Sequence, residues 1–465
     1  MKKRLLAALL ALCLLVVFLP AVSLGDTVIY LQSGDYDYLI LEDGTVSIAK
    51  YYGEERDLVI PAELEGIPVT ELADGAFSWN QDPVHITVSE GIRRLGSQVF
   101  SYCTMLEDIS LPLSLEEIGT NPFTGCEELK TIQVAENHSL LEVKDGALFI
   151  RGENRLLCYP SSLPDSSYAV PEGTEAIGPM AFYGAQHLSS VTLPSSVKSV
   201  EQRAFYLCEK LKEVVLPDKF PSMGSEVFYG CSSLNTLTLT DGCKGISVGL
   251  FRNCSSLSSI ELPDSVKLLG MNAFRSCWNL TSVTLPAKVT SLNAGVFADC
   301  RHLTEVTLSP KTTVIGPSAF NGAESLEHIT LPETLSKIDK QAFYGCKMLT
   351  DLVIPDKVST IGESAFYGCI SLKTLTIPAS VSLINRSAFG VCAGLTDVVI
   401  PEGVTHIAEQ AFMYCVALKN VSLPASLTVM APDAFVNCPE AVFSVPAGSK
   451  AEDLCKNLGL NYETR

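Results

Sequence analysis

A phenylalanine, usually preceded by Ala or Val, returns every 23 residues through most of the chain. The interval is constant from Phe182 to Phe435, over eleven consecutive repeats without an insertion, and an earlier group stands at Phe77, Phe100 and Phe123. A period in the range of roughly 20 to 50 residues is typical of repeat proteins, in which each unit contacts only its neighbours. A chain of 465 residues is also too long for one ordinary central core. We therefore predict a solenoid.

Two further patterns share this period and indicate what each unit contains. A Leu six residues after the Phe opens the motif Leu-x-x-Val/Ile-x-Leu/Ile-Pro, as at 188–194 and 326–332. An alternating apolar run that ends in Pro predicts a short strand with a stop signal. The aliphatic residue five positions before the Phe, as in Ile361-Gly362, predicts a second short extended piece, and Ala-Phe predicts a tight turn or a single helical turn. Stacked units would form parallel sheets with strands about 4.8 Å apart.

The N-terminus has the composition of a secretory signal. A basic start at Met1 to Arg4 is followed by an apolar run to Pro20 and by small residues to Gly25, so we assign residues 1–25 to a signal peptide. Lipidation is the less favoured alternative, because Cys13 lies inside the apolar run and not after it. No later segment is apolar enough to span a membrane, so we expect an exported protein that is extracellular or associated with the cell surface.

Net charge narrows the choice of partner. The whole chain has a formal charge of −19, and removal of three basic residues with no acid in the signal makes the mature chain −22. Nucleic acid is therefore not an expected partner.

The remaining boundaries follow from breaks in the period. We expect an N-terminal cap at 26–75 with an Asp-Gly hairpin, a solenoid at 76–440, and a C-terminal cap at 441–465 with a strand and a short helix. The spacing breaks between Phe123 and Phe182, where a hairpin insertion is expected at about 144–171 around the turn 151–154.

These motifs resemble the BspA-like bacterial leucine-rich repeats, whose unit reads Cys-x-x-Leu-x-x-Ile-x-Leu-Pro-x-x-Val-x-x-Ile-Gly-x-x-Ala-Phe. The segment from Cys346 to Phe366 matches that unit nearly position by position, and the resemblance covers about residues 38–446. It implies a right-handed solenoid that is secreted or displayed on the surface, without catalytic residues. By analogy with characterised relatives, it implies adhesion to host matrix proteins, host cells or other bacteria.

Twelve of the 16 cysteines stand three residues after a marker Phe. Ala185 and Ala323 occupy the same slot in two units, so the slot favours a small apolar group. The runs Cys208 to Cys300 and Cys346 to Cys438 hold five cysteines each, and pairing of neighbours would leave one over. We predict buried free thiols, with disulfides as the alternative; the states of Cys158 and Cys455, which lie outside the ladder, are left open.

No constellation of catalytic or metal-binding residues stands out. Six histidines occupy different phases of the repeat, no two cysteines have the Cys-x-x-Cys spacing, and no phosphate-binding loop occurs. A Gly-x-Ser-x-Gly motif is present at 245–249, but its Ile246 fills the ordinary aliphatic slot, which favours packing over a nucleophile elbow. We expect no enzyme, no cofactor and no metal.

Residues that vary between the fixed positions are the candidates for binding. Aromatic residues follow several marker phenylalanines, and Tyr, Trp and Arg are enriched at binding hot spots. The predicted binding edge, which we call the aromatic flank, consists of Tyr183, Tyr206, Tyr229, Trp278, Tyr344 and Tyr367. The alternative site is the outward face of the strands, represented by Thr284, Thr307, Thr330 and Thr376. A third interpretation is that the rings only cover the apolar edge of the repeats.

We predict a monomeric binding protein whose partner is a protein or glycan on a host or bacterial surface. The alternatives are a structural or regulatory envelope protein and a soluble scavenger without an adhesive role. The sequence shows no wall-sorting tail, which weakens the case for adhesion.

Overall fold

The computed structural model describes residues 30–235 and 237–465. The predicted signal peptide and the first four residues of the predicted N-terminal cap lie outside these ranges. The described chain forms two compact units, one reaching Asp165 and including Thr174–His187, the other formed by Ser166–Gly173 and Leu188–Arg465.

The first unit is built almost entirely of short strands. Their bounds are β1 Leu31–Ser33, β2 Tyr36–Ile40, β3 Val46–Tyr51, β4 Asp57–Ile60, β5 Glu63–Leu64, β6 Ile67–Leu72, β7 His85–Val88, β8 Arg94–Leu95, β9 Asp108–Ser110, β10 Glu117–Ile118, β11 Thr131–Gln133, β12 Leu141–Lys144, β13 Ala147–Ile150, β14 Arg155–Cys158 and β16 Ala176–Ile177.

The second unit continues the same two kinds of strand and adds the only α-helix of the described chain. Its elements are β15 Ser167–Ala169, β17 Ser190–Thr192, β18 Ser199–Val200, β19 Glu213–Val215, β20 Ser222–Met223, β21 Gly245–Ile246, β22 Leu268–Leu269, β23 Ser282–Thr284, β24 Ser291–Leu292, β25 Glu305–Thr307, β26 Val314–Ile315, β27 His328–Ile329, β28 Lys337–Ile338, β29 Asp351–Val353, β30 Thr360–Ile361, β31 Thr374–Thr376, β32 Leu383–Ile384, β33 Asp397–Val399, β34 His406–Ile407, β35 Asn420–Ser422, β36 Val429–Met430, β37 Val442–Val445, α1 Lys450–Leu458 and β38 Tyr462–Thr464.

Parallel pairing in steps of one repeat confirms the predicted solenoid architecture. Asp351 pairs with Thr374, and Thr374 pairs with Asp397, each 23 residues further along the chain. The two-residue strands form a second parallel ladder in the same register, as where Ile338 pairs with Ile361. Each repeat therefore places the same residue types at the same position of the stack.

The core is a stack of marker side chains. Phe366 and Phe389 are fully buried, and their rings lie parallel with centroids 5.4 Å apart. The Ala-Phe segments are turns closed by hydrogen bonds between residues three apart, such as Cys346 N–H to Phe343 O at 3.2 Å. Burial of one ring and one Leu per repeat supplies the apolar area that a single repeat cannot bury alone.

A two-repeat pattern modifies this regular packing within the second unit. The position four residues before the marker Phe alternates from Glu201 to Asn385 between a polar residue and Gly. At Gly362 a Cβ atom would lie 2.3 Å from the backbone N of Lys340 in the preceding repeat, so glycine is required there. The polar residue of the next repeat bonds back over that glycine, since Asn385 Nδ2 donates to Ile361 O at 2.6 Å.

Both ends and the insertion depart from the repeat. An antiparallel hairpin of β2 and β3 turns at Asp43-Gly44, and β3 then pairs in parallel with β6. The register break contains an antiparallel meander, in which β13 pairs with β12 and β14 around a 3₁₀ turn at Arg151–Glu153. At the C-terminus α1 is followed by β38, which pairs in parallel with β37 and was not among the expected elements.

Candidate binding surfaces

The outward face of the three-residue strands in the second unit is polar and exposed. In β23, β25 and β31 the central residue is buried, and the residues on either side point outward. The four threonines of the alternative site, Thr284, Thr307, Thr330 and Thr376, are all exposed. We call this surface of the second unit the strand face.

A shallow groove crosses the strand face near β27. One section, of about 310 Å³, is lined by Glu305, Thr307, His328 and Thr330 together with neighbouring prolines. A second section, of about 350 Å³, continues past His328 to Asp351 and Val353. The sheet of β23, β25 and β27 ends here, and the sheet that contains β29 begins. The groove therefore marks a discontinuity in an otherwise regular ladder.

The aromatic flank in the second unit contains two stacked tyrosine pairs. Tyr206 and Tyr229 lie parallel with ring centroids 4.5 Å apart. Guanidinium groups cover both rings, with Arg203 5.5 Å from the Tyr206 centroid and Arg252 5.3 Å from the Tyr229 centroid. Burial and the adjacent Tyr229 raise the pKa of the Tyr206 hydroxyl. Both side chains are half-buried, so each presents part of its ring to solvent.

The second pair is Tyr344 and Tyr367, whose ring centroids are 5.0 Å apart with planes inclined by 9°. The next repeat has Gly390 at this position, and a Cβ atom there would lie 2.9 Å from the Tyr367 ring and 3.1 Å from Met413 Cγ. The Tyr367 ring and the Met413 side chain therefore extend over the glycine. The result is an apolar strip across four successive repeats.

Trp278 has a different position in the repeat from the tyrosines. It stands four residues after Phe274, whereas each tyrosine stands one residue after its phenylalanine. Its side chain is 47% exposed, and the Arg301 guanidinium lies 5.6 Å from its ring centroid. The aromatic flank in this unit is thus two tyrosine pairs and a separate tryptophan, and not one evenly spaced row.

Tyr183 belongs to the first unit, where it joins two aromatic residues that sequence reasoning missed. Trp79 stacks on Tyr102 with ring centroids 4.1 Å apart, and Tyr102 meets Tyr183 edge to face at 6.2 Å. The Tyr102 and Tyr183 hydroxyls are 3.3 Å apart. Trp79 is 65% exposed, so the cluster offers a large apolar ring to solvent.

The backbone at this cluster could have revealed it. Trp79 and Tyr102 stand two residues after their phenylalanines with φ of 65° and 59°, in the left-handed region. Bulky residues there cost about 1–2 kcal/mol, and such strain concentrates at functional sites. Other repeats place glycine with positive φ in that slot, at Gly125, Gly184, Gly230, Gly322, Gly345 and Gly368.

The cysteine slot is part of the core. Cys369 is fully buried, and its thiol donates to Phe343 O at 3.3 Å; the same contact recurs between Cys254 and Phe228 O at 3.1 Å. Burial raises the pKa of the Cys392 thiol to about 12. Within the described residues every cysteine is a free thiol, including Cys158 and Cys455, and both are buried. These groups are structural, since a thiol with a raised pKa is a weak nucleophile.

The other candidates for chemistry are also placed. Ser247 of the Gly-x-Ser-x-Gly motif donates its hydroxyl to Met223 O at 2.7 Å, as part of the two-repeat packing pattern. His138 is buried in the insertion, where its Nδ1 accepts from Leu140 and Leu141 N–H at 3.1 and 3.2 Å. Over residues 30–235 and 237–465, no His, Cys, Asp and Glu side chains are grouped to hold a metal ion, and no helix is long and apolar enough to cross a membrane.

The sequence model of the BspA type leucine rich repeat region matches residues 60–148, 158–277, 222–350 and 337–451, with six copies of the repeat. The match covers most of the chain, both before and after the insertion. A search of curated proteins returned no match.

Solved structures show the same architecture. A leucine-rich repeat protein from Bacteroides ovatus is 24% identical, with a TM-score of 0.55, over 94% of this chain and 99% of that one. A leucine rich cell surface protein from Faecalibacterium prausnitzii is 20% identical over 92% of this chain and 97% of that one, with a TM-score of 0.36. The first of these supports the fold, and neither identifies a ligand.

Proposed function

Because the chain belongs to the BspA-type leucine-rich-repeat family, we propose that it is an exported protein-binding scaffold without catalytic activity. In this proposal it acts at the cell surface as an adhesin and holds a protein of a host or of a neighbouring bacterium. The acidic charge of −19 and the basic, apolar N-terminus support export and argue against nucleic acid as the partner.

The aromatic flank is the proposed contact surface, and the observation that carries this is the stacking of its tyrosines. Tyr206 and Tyr229 are parallel within 4°, and Tyr344 and Tyr367 within 9°. Stacked rings have already lost rotational freedom in the free protein, so a partner that packs on them loses less entropy on binding. Water already satisfies the exposed threonine hydroxyls of the strand face, so these offer less net affinity.

The repeat also multiplies weak contacts. Two tyrosine pairs and Trp278 lie on one rigid scaffold, and an extended partner that reaches more than one of them gains affinity through effective concentration. Such a partner is a fibrous matrix protein or a repetitive surface polymer, and a glycan with several exposed sugar rings belongs to the same class.

The test uses two variants that differ in the surface they change. The flank variant carries Tyr206→Ser, Tyr229→Ser and Trp278→Ser, and the strand-face variant carries Thr284→Lys, Thr307→Lys and Thr330→Lys. Immobilised mature protein is probed with host matrix proteins, glycans and neighbouring bacteria, after circular dichroism has shown that both variants fold. We expect binding to be lost in the flank variant only. Loss in the strand-face variant alone would move the site to that face.

A matched control separates contact from packing. Tyr206→Phe with Tyr229→Phe keeps both rings and removes both hydroxyls, so it should retain most of the binding. Fractionation of producing cells supplies the second measurement. Protein recovered with the cells agrees with adhesion, whereas protein found only in the medium would replace adhesion with the scavenger role.

A further inference from the structure

Three carboxylates on the strand face recur at every second repeat. Glu305, Asp351 and Asp397 are 46 residues apart and occupy the same phase, at the first outward position of β25, β29 and β33. All three are exposed. Neutral side chains separate them in the direct register, since Thr374 pairs with Asp351 on one side and with Asp397 on the other.

These charges are not neutralised within the protein. In the described part of the chain, no Lys or Arg forms an ion pair with Glu305, Asp351 or Asp397. Asp397 accepts from Asn420 Nδ2 and Thr396 Oγ, both at 2.6 Å, and these bonds lower the pKa of its carboxyl, so it stays ionised. The strand face therefore presents a row of fixed negative charges.

An exposed β-branched row lies beside the carboxylates. The outward residue two positions further along each strand is Thr307, Val353, Thr376 or Val399. Val353 is 76% exposed and Val399 is 62% exposed, which is unusual for valine in a strand. Pro310, Pro332 and Pro355 line the same groove. The surface thus combines an apolar strip with charges at a regular spacing.

The spacing of the charges selects the conformation of a ligand. Strands about 4.8 Å apart place carboxylates of alternate repeats about 9.6 Å apart. A polyproline II helix has three residues per turn and advances about 9.3 Å per turn, so every third side chain points the same way at nearly that spacing. A β-strand repeats its face about every 6.8 Å, and an α-helix about every 10.5 Å over seven residues. Over two intervals the mismatch is about 0.6 Å for polyproline II and about 1.8 Å for the α-helix.

We propose that the strand face from Glu305 to Asp397 binds a proline-rich segment in the polyproline II conformation that carries a basic residue at every third position. The basic side chains pair with the three carboxylates, and the proline rings pack on the strip that contains Val353 and Val399. Carboxylates this far apart cannot share one metal ion, whose oxygen ligands lie about 2.3–2.6 Å from a calcium centre. This site does not depend on the aromatic flank, so it goes beyond the function proposed above.

The experiment uses three synthetic peptides and the full mature chain. The first peptide has five Pro-Pro-Arg units, the second has the same composition with its arginines at irregular spacing, and the third has five Pro-Pro-Glu units. Fluorescence anisotropy at physiological salt measures their binding. We expect the regular basic peptide to bind at least about tenfold more tightly than the irregular one, and the acidic peptide not to bind.

Two triple variants with the same net charge locate the site. The test variant carries Glu305→Gln, Asp351→Asn and Asp397→Asn. The control variant carries Glu213→Gln, Asp218→Asn and Asp264→Asn; Glu213 has the phase of Glu305 four repeats earlier, and all three of its residues are exposed.

The test variant should lose at least about tenfold in affinity for the regular peptide, and the control variant should retain it. Equal binding of the regular and irregular peptides, or equal loss in both variants, would show non-specific charge attraction and overturn the proposal. The flank variant should bind the peptide normally, so failure of either proposal is seen separately from the other.

Discussion

Replacement of Gly362 by Ala tests the packing of one repeat on the next. A Cβ atom there would lie 2.3 Å from Lys340 N and 2.5 Å from Asp339 C. Both neighbours are backbone atoms, so neither can rotate away, and the strands of the two repeats must separate locally. Overpacking of this kind costs about 1–3 kcal/mol, and we expect the upper end of that range because no flexible side chain can absorb the contact.

Urea unfolding followed by circular dichroism measures this effect, and Gly152→Ala is the matched control. Gly152 lies in the 3₁₀ turn of the insertion, where a Cβ atom would meet nothing within 4 Å. This control should leave the unfolding midpoint unchanged or raise it slightly, since alanine reduces the entropy of the unfolded chain. Equal midpoints for the two variants would refute the argument that Gly362 is required by its neighbour.

Two further predictions concern buried groups. Cys369→Ala should cost about 1 kcal/mol or less, because it removes one small buried atom and a weak hydrogen bond, and thiol titration of the unfolded mature protein should find nearly all of its cysteines free; a count near zero without reductant would indicate disulfides instead. Burial lowers the pKa of His138, whose neutral ring donates from Nε2 to Pro112 O at 3.0 Å. The unfolded chain therefore takes up the proton first as the pH falls below about 6.5, so stability should be lost on acidification below that value, and thermal melts of His138→Gln should show a weaker dependence on pH in this range.

The periodic elements could be predicted because one repeat is tested many times within one sequence. The strand β31, its buried Leu375 and the proline that follows recur at the same phase in repeat after repeat, so each copy supports the assignment of the others. Fold class and the cysteine slot follow from that redundancy. Strand β38 occurs once, after α1, and no periodic signal announces it.

The binding surfaces were harder to predict, because their geometry depends on backbone conformation and on pairing across repeats. Trp278 and the tyrosines looked equivalent in sequence, but they differ by three residues in phase. Trp79 was overlooked because its slot usually holds glycine, and only the positive φ of 65° shows why a tryptophan is unusual there. The carboxylate row becomes visible once strand register places Asp351 and Asp397 on either side of Thr374.

The two-repeat pattern predicts which deletions the second unit tolerates. Removal of 349–371 takes out Gly362 and brings Asn385 against the repeat that contains Asp339, where a Cβ atom has no room. Removal of 326–348 instead brings Gly362 next to the repeat of Gly316, which creates no such contact. Both deletions are 23 residues long and keep the strand register. We expect the first to lower the urea midpoint and the second to leave it nearly unchanged.

The same deletions separate folding from recognition of the peptide. Loss of 326–348 places Glu305 one repeat from Asp351, about 4.8 Å away, so the folded variant should bind the regular basic peptide poorly. Deletion of both repeats, 326–371, restores the two-repeat spacing between Glu305 and Asp397 and also keeps a glycine followed by Asn385. This longer deletion should therefore fold and bind the regular peptide better than the 326–348 deletion, although it retains only two of the three carboxylates. Better binding by the single-repeat deletion would show that charge density, and not spacing, governs this surface.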